Sequence, residues 1–117
     1  MGEKTLLEGH RQQWKELWKN DIIIEGNDED QKNVRLMLYH CYAFINNWKS
    51  YGISPMGLSG LGYNGHVFWD MDLWIYPGIL GLNPSMAKTL IEYRFERLQA
   101  AKNNAFINGY KGAMYPW

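Results

Sequence analysis

Asn83-Pro84-Ser85-Met86-Ala87-Lys88-Thr89-Leu90-Ile91-Glu92-Tyr93-Arg94-Phe95-Glu96-Arg97-Leu98-Gln99-Ala100-Ala101-Lys102-Asn103-Asn104-Ala105 is the longest uninterrupted periodic run in the chain. Asparagine accepts from free backbone N–H groups at a helix start, and proline fits the first helical position because its missing N–H needs no partner there. Ile91, Phe95, Leu98, Ala101 or Lys102, and Ala105 then follow the helical period. One helix is expected, stopped by Gly109. A segment this long without strand alternation sets an all-α expectation for the whole chain.

Working outward, the preceding segment from Phe68 to Leu82 is apolar and aromatic, and predicts a short helix or two turns broken near Pro77-Gly78. Ser50 to His66 carries Gly52, Gly57, Gly60, Gly62 and Gly65 and reads as a long loop, a kind of segment that is often functional. Before it, a helix is expected from Asp28, a plausible cap, with Val34, Leu38, Cys41, Ile45 and Trp48 on one face. Met37, Tyr39, Tyr42 and Phe44 add apolar bulk on its other faces, which predicts burial all round. Thr5 and Glu8 suggest a capping box for a first helix carrying Leu7, Trp14, Leu17 and Trp18 and ending near Asn20. Ile22-Ile23-Ile24 reads as an extended connector or one short strand.

A chain of 117 residues has room for one core. Twelve Lys and Arg balance twelve Asp and Glu, so no basic stripe is present to bind nucleic acid. The longest nearly uncharged stretch, Ser50 to Val67, is broken by glycines and a proline and does not make the ~20-residue apolar helix of a membrane span. The polar N-terminus shows no signal peptide, and the compartment stays open. Cys41, the single cysteine, excludes an internal disulfide and reads as a small core residue.

Gly60-Leu61-Gly62-Tyr63-Asn64-Gly65 matches the glycine spacing of a dinucleotide site, but no strand precedes it and no acidic residue closes a second strand ~20 residues on. The glycines are better explained as loop residues, and no cofactor is expected. His66, Asp70 and Asp72 lack the paired histidine spacing of a metal site, so no metal is expected either. Phe68-Trp69-Asp70-Met71-Asp72-Leu73-Trp74 is the segment with chemistry in it. A tryptophan can stack on the C–H face of a sugar, and a neighbouring carboxylate can accept from two adjacent hydroxyls. A core tryptophan beside a helix-capping aspartate explains the same residues equally well.

Gly57 through Trp117 closely resembles glycoside hydrolase family 65, the group of maltose, trehalose and kojibiose phosphorylases, acid trehalases and glucosylgalactosylhydroxylysine glucosidases. The resemblance rests on Gly65-His66-Val67-Phe68-Trp69-Asp70, on Glu92-Tyr93-Arg94, and on Gly112-Ala113-Met114-Tyr115-Pro116-Trp117. The part around His10, Trp14, Trp18 and Ile22 to Ile24 fits more loosely. It implies an all-α partial (α/α)6 barrel of the six-hairpin type, with about four helices and a long Gly-rich loop, residues 1–117 forming one piece of the catalytic domain. It implies inverting chemistry on α-glucosides, with Trp69 and Asp70 binding the glucosyl unit and Tyr63 and His66 as weaker candidates in the same loop. Phosphorylases of the family usually carry Phe-Trp-Asp-Thr-Glu; Met71-Asp72 in place of the last two looks more like the hydrolase branch, with a disaccharide phosphorylase as the alternative.

No residue here corresponds to the family's catalytic acid or to the base of its hydrolases, which lie beyond the Tyr-Pro-Trp motif. No catalytic residue is therefore assigned, and the chain alone is expected to be inactive. From another class, an unfinished helical layer with an exposed apolar face predicts a non-catalytic module that self-associates, as a homo-oligomer, or binds a partner.

Overall fold

In a computed structural model, residues 2–45 and 51–116 are described. They are helical with no strand among them, as the all-α expectation requires. The chain divides into two compact units, Met1–Tyr42 and Ala43–Trp117. No helix among the described residues is long and apolar enough to cross a membrane.

The first unit is built from α1 (Glu3–Leu17), an irregular connector, and α2, which spans Asp28–Phe44 and runs into the second unit. Gly2, not Thr5, caps α1, and Thr5 lies inside the first turn with its N–H bonded to the Gly2 carbonyl at 3.0 Å. The capping box is thus absent, because the helix begins two residues upstream of Thr5. Asn27, not Asp28, caps α2: its Oδ1 accepts from the Glu29 and Asp30 amides at 3.0 and 3.2 Å. Both acids sit in the first turn, where the helix dipole favours negative charge.

The connector Asp21–Ile24 has no regular secondary structure, and a side chain of α2 bonds its backbone groups. The Gln31 amide accepts from Ile24 N–H at 2.7 Å and donates to the Ile22 carbonyl at 3.0 Å. Arg35 holds Asp21 through two bonds to Oδ2, at 2.9 and 2.6 Å. The Tyr42 hydroxyl donates to the Asn20 carbonyl at 2.6 Å. Trp14 stacks on Tyr39 at 5.1 Å, and Trp18 meets Tyr42 edge-on at 5.8 Å. The α2 residues Leu36, Met37 and Tyr39 are exposed, so burial all round does not occur. Buried on this helix are Leu38 and Tyr42, with Cys41 partly covered, and Ile45 just past its end is buried as expected; Trp48 lies outside the described residues.

In the second unit α3 (Tyr76–Leu82) packs against α4 (Pro84–Glu96), followed by α5 (Leu98–Ile107). Met71, Ile79, Met86, Ala87 and Leu90 form the centre of its core, with Ala101 and Ala105 from α5. Burying a Met, Ile or Leu side chain fully contributes about 1.5–3 kcal/mol each. Asn83 caps α4 as expected, accepting from Met86 N–H at 3.3 Å and from the Ser85 hydroxyl at 2.7 Å.

The single helix expected from Asn83 to Asn108 is instead broken at Arg97, whose φ of −98° and ψ of 4° leave the helical region. The expected stripe holds in part. Ala101 and Ala105 are buried, but Ile91 and Phe95 are exposed, and the packed face of α4 is Met86, Ala87, Leu90. Both sets have helical spacing, so periodicity alone could not choose between them.

No break occurs at Pro77-Gly78. The turn Met71–Ile75 is wound as a π-helix, with Tyr76 N–H bonded to the Met71 carbonyl, and it passes directly into α3. Proline lacks an N–H and its ring presses on the carbonyl four residues back. A widened turn just upstream moves that carbonyl aside, so the helical path continues where sequence alone suggests a stop.

Candidate functional site

The glycine-rich loop sets one wall of the candidate site. Gly52 approaches α4 so closely that an added Cβ would lie 2.5 Å from Val67 Cγ2 and 2.6 Å from Tyr93 Cζ. Further on, the short 3-10 turn Gly62–Gly65 holds Tyr63 at φ 58° and Asn64 at φ 52°, followed by Gly65 at 71°. Glycine and asparagine tolerate the left-handed region, but tyrosine there stores strain of about 1–2 kcal/mol. The dinucleotide-like spacing thus belongs to a strained turn that follows other turns, and not to a strand–helix junction.

Of the residues singled out in the sequence, Tyr63 and His66 are gathered on Phe68. Tyr63 meets Phe68 edge-on at 5.2 Å, His66 stacks on it at 6.2 Å, and His66 Nδ1 lies 2.7 Å from the Tyr63 carbonyl. Trp69 is half exposed, and Asp70 is partly buried at the start of the π turn. The Trp69 carbonyl accepts from both Asp72 and Leu73 N–H at 2.9 Å, which fixes the turn that carries them.

Arg94, on α4, organises this segment. Its Nη2 donates to the Phe68 carbonyl at 2.9 Å and to Asp72 Oδ2 at 2.7 Å, while Nε reaches both Asp72 oxygens at 3.2 and 3.1 Å. The Asp72 carboxylate is therefore engaged in an ion pair with Arg94. Among the described residues no group of His, Cys, Asp and Glu could hold a metal ion.

The C-terminal segment closes over Arg94. Met114 N–H bonds to the Ala101 carbonyl and Asn104 Nδ2 to the Met114 carbonyl, each at 2.9 Å. The break at Arg97 leaves the Arg94 carbonyl to a tight Arg97 N–H bond at 3.1 Å, and it accepts in addition from the Tyr115 hydroxyl at 2.8 Å. The Tyr115 ring also lies 5.3 Å from the Arg94 guanidinium.

Two hollows result. The larger, about 560 Å³, runs between the loop residues Asn64–Val67, the end of α4, α5 and the C-terminal segment. That volume lies within the usual ~300–1,000 Å³ of small-molecule sites. The smaller, about 210 Å³, is bounded by Trp69, Asp72, Arg94, Tyr115 and Pro116. They share Arg94, Tyr115 and Pro116 as walls. His66 borders the larger and Trp69 the smaller.

Sequence reasoning about the site missed the roles of Asp72, Arg94 and Tyr115. The Glu92-Tyr93-Arg94 and Met114-Tyr115-Pro116 runs were visible, but pairing Arg94 with a carboxylate 22 residues away follows from no local periodicity.

Residues 35–117 match the glycosyl hydrolase family 65 central catalytic domain. A kojibiose hydrolase of Mucilaginibacter mallensis is 57% identical over 116 residues, covering 99% of this chain and 17% of that protein. A kojibiose phosphorylase of Halothermothrix orenii is 46% identical over 116 residues, covering 97% of the chain and 15% of that protein. The protein-glucosylgalactosylhydroxylysine glucosidase of Dictyostelium discoideum is 39% identical over 116 residues, covering 96% of the chain and 16% of that protein. The chain thus spans about a sixth of the length of the curated relatives it matches. The domain match over most of its residues, with these identities over nearly the whole chain, leads to one conclusion: this chain belongs to glycosyl hydrolase family 65.

Proposed function

We propose that residues 1–117 form one part of an (α/α)6-barrel catalytic domain of an inverting α-glucoside hydrolase, and that they supply glucosyl-binding residues. The observation that carries this reading is Trp69, half exposed on the small hollow, next to Asp70 at the head of a fixed helical turn. The indole offers an apolar face to the sugar's C–H groups. The Asp70 carboxylate accepts from two neighbouring hydroxyls, each charge-assisted bond contributing about 1.5–3 kcal/mol. Tyr63 and His66 act as a supporting wall through Phe68.

Kojibiose is the first substrate to try. Two kojibiose hydrolases are 57% and 53% identical to the chain, against 43% to 46% for three kojibiose phosphorylases. Met71-Asp72 after Phe68-Trp69-Asp70 supports the hydrolase branch over phosphorolysis.

Inverting hydrolysis needs an acid and a base about 6.5–9.5 Å apart across the scissile bond and a water. Asp72 is committed to Arg94, and Asp70 alone makes no such pair. The resemblance to the family implies that the acid and base lie beyond the Tyr-Pro-Trp motif, and catalysis is assigned to carboxylates outside these 117 residues on that ground. The test is a kojibiose titration of the chain and of its Trp69→Ala and Asp70→Ala variants, with glucose release assayed alongside. Binding lost in both variants, and no glucose released, is the expected result. Equal affinity in all three proteins would remove the sugar-site assignment, and glucose release by this chain would remove the assignment of catalysis elsewhere.

A second reading has its own observation. Phe95, Phe106 and Ile107 are 73%, 83% and 81% exposed on α4 and α5, apolar surface that favours association of isolated copies of this chain. Light scattering decides it: a monodisperse monomer excludes self-association.

A further inference from the structure

We infer that Arg94 is a positioning residue for the Trp69–Asp70 pair, acting by clamping the peptide on both sides of it. This rests on the glucoside-binding reading of those two residues. Nη2 of the guanidinium holds the Phe68 carbonyl, one residue before Trp69, and together with Nε it holds the Asp72 carboxylate, two residues after Asp70. Between these two anchors Met71 is fully buried, so the segment is pinned at both ends and in the middle while Trp69 stays half exposed. Arg94 is itself fixed. Its side chain is only 15% exposed, its carbonyl takes the Tyr115 hydroxyl, and its guanidinium faces the Tyr115 ring.

Geometry explains why an arginine stands here. The planar fork reaches a carboxylate with Nε and Nη2 and still spares an Nη2 proton for a carbonyl, whereas a lysine ammonium is a point charge on a flexible stem. Nε and Nη2 are used on the protein itself, which is the route to Trp69 and Asp70; because Arg94 also borders the small hollow, the state of Trp69 before sugar is added separates positioning from direct contact. The π turn begins at Met71, directly after Asp70, so the Arg94 bonds add side-chain anchors on both sides of the pair to the backbone bonds of the turn itself.

The test follows the indole N–H resonance of Trp69, assigned with Trp69→Phe, during kojibiose titration of the 117-residue chain and of Arg94→Lys, Asp72→Asn and Asp70→Ala. Arg94→Lys keeps the charge and loses the fork; Asp72→Asn keeps the shape and loses the charge. The methyl signals of Ile79 and Leu90 report the core. With those signals in place, both clamp variants are expected to shift or broaden the Trp69 resonance before sugar is added. Both are also expected to weaken kojibiose binding about tenfold, the scale of losing one charge-assisted bond. If Asp70→Ala abolishes binding while both clamp variants bind normally with Trp69 unmoved, the inference is overturned and the glucoside reading stands. If the unaltered chain and Asp70→Ala respond alike to kojibiose, the reading falls and the inference falls with it. Should Arg94→Lys lose the core signals, Asp72→Asn, which removes a charge and no heavy atom, decides alone.

Discussion

Gly52→Ala isolates one contact on which the candidate site depends. Two effects oppose each other. Alanine narrows the unfolded ensemble, which stabilises by about 0.4–1 kcal/mol where the native backbone accepts it. Against this, the new Cβ would lie 2.5 Å from Val67 Cγ2 and 2.6 and 2.7 Å from two ring carbons of Tyr93. Overpacking of this kind costs about 1–3 kcal/mol. The upper part of that range applies, because Tyr93 cannot swing away freely: the Arg97 guanidinium stacks 3.7 Å from its ring centroid and bonds to its carbonyl at 3.1 Å. The net expectation is a loss of about 2 kcal/mol, which lowers Tm by about 8 °C at roughly 4 °C per kcal/mol for a chain of this size. Thermal unfolding followed by near-ultraviolet circular dichroism measures it. Val67→Ala removes one of the two obstructions, so the double variant should lose less than the sum of the single losses. A Gly52→Ala protein as stable as the original, or more so, would refute the close approach of the loop to α4.

Other perturbations probe the first unit. Asn27→Ala removes the acceptor of two amide bonds and should cost about 1 kcal/mol in urea unfolding, whereas Asp28→Ala should cost far less. Burial, then the nearby Asp21 carboxylate and Cys41, push the Tyr42 hydroxyl above its ordinary value. The unfolded chain therefore ionises first as pH rises, so this contribution to stability is full below about pH 10 and is lost above it. Tyr42→Phe should flatten that alkaline fall in Tm while lowering Tm at neutral pH through the lost bond to Asn20. Burial also raises the Cys41 thiol; its alkylation by iodoacetamide at pH 8 should be slower than that of an unstructured cysteine peptide, and a rate equal to the peptide's would contradict the packing around α2.

What could be read in the sequence was what local chemistry decides. Asn83-Pro84 started α4 where expected, because a cap and a proline each act within a turn of themselves. The all-helical class followed from the same periodic runs. Where two local signals competed, sequence alone chose wrongly. Asn27 and Asp28 are adjacent candidates for one cap, and only the path of the incoming chain selects Asn27. Ile91-Phe95 and Met86-Leu90 are both helical stripes, and only the position of α3 decides which is covered. Pro77 reads as a stop in isolation, but a π turn upstream removes its conflict with the preceding carbonyl.

The site divides along the same line. Trp69 and Asp70 could be singled out because an aromatic beside a carboxylate carries its chemistry in two consecutive residues. Arg94 could not, since its meaning lies in Phe68 and Asp72, 26 and 22 residues away. The arrangement also bears on why Asp72 is an aspartate. Its carboxylate sits on the exposed flank of the clamp, 34% accessible against 15% for Arg94, so solvent weakens the charge attraction and geometry must do more of the holding. A glutamate at this position would carry its carboxylate one methylene further from the backbone, and the two-point fork with Arg94 would survive only by moving the turn that bears Trp69. Asp72→Glu should then perturb kojibiose binding without loss of charge, and Tm should change little. Unaltered affinity in that variant would mean that charge alone, and not the length of the side chain, sets the position of Trp69.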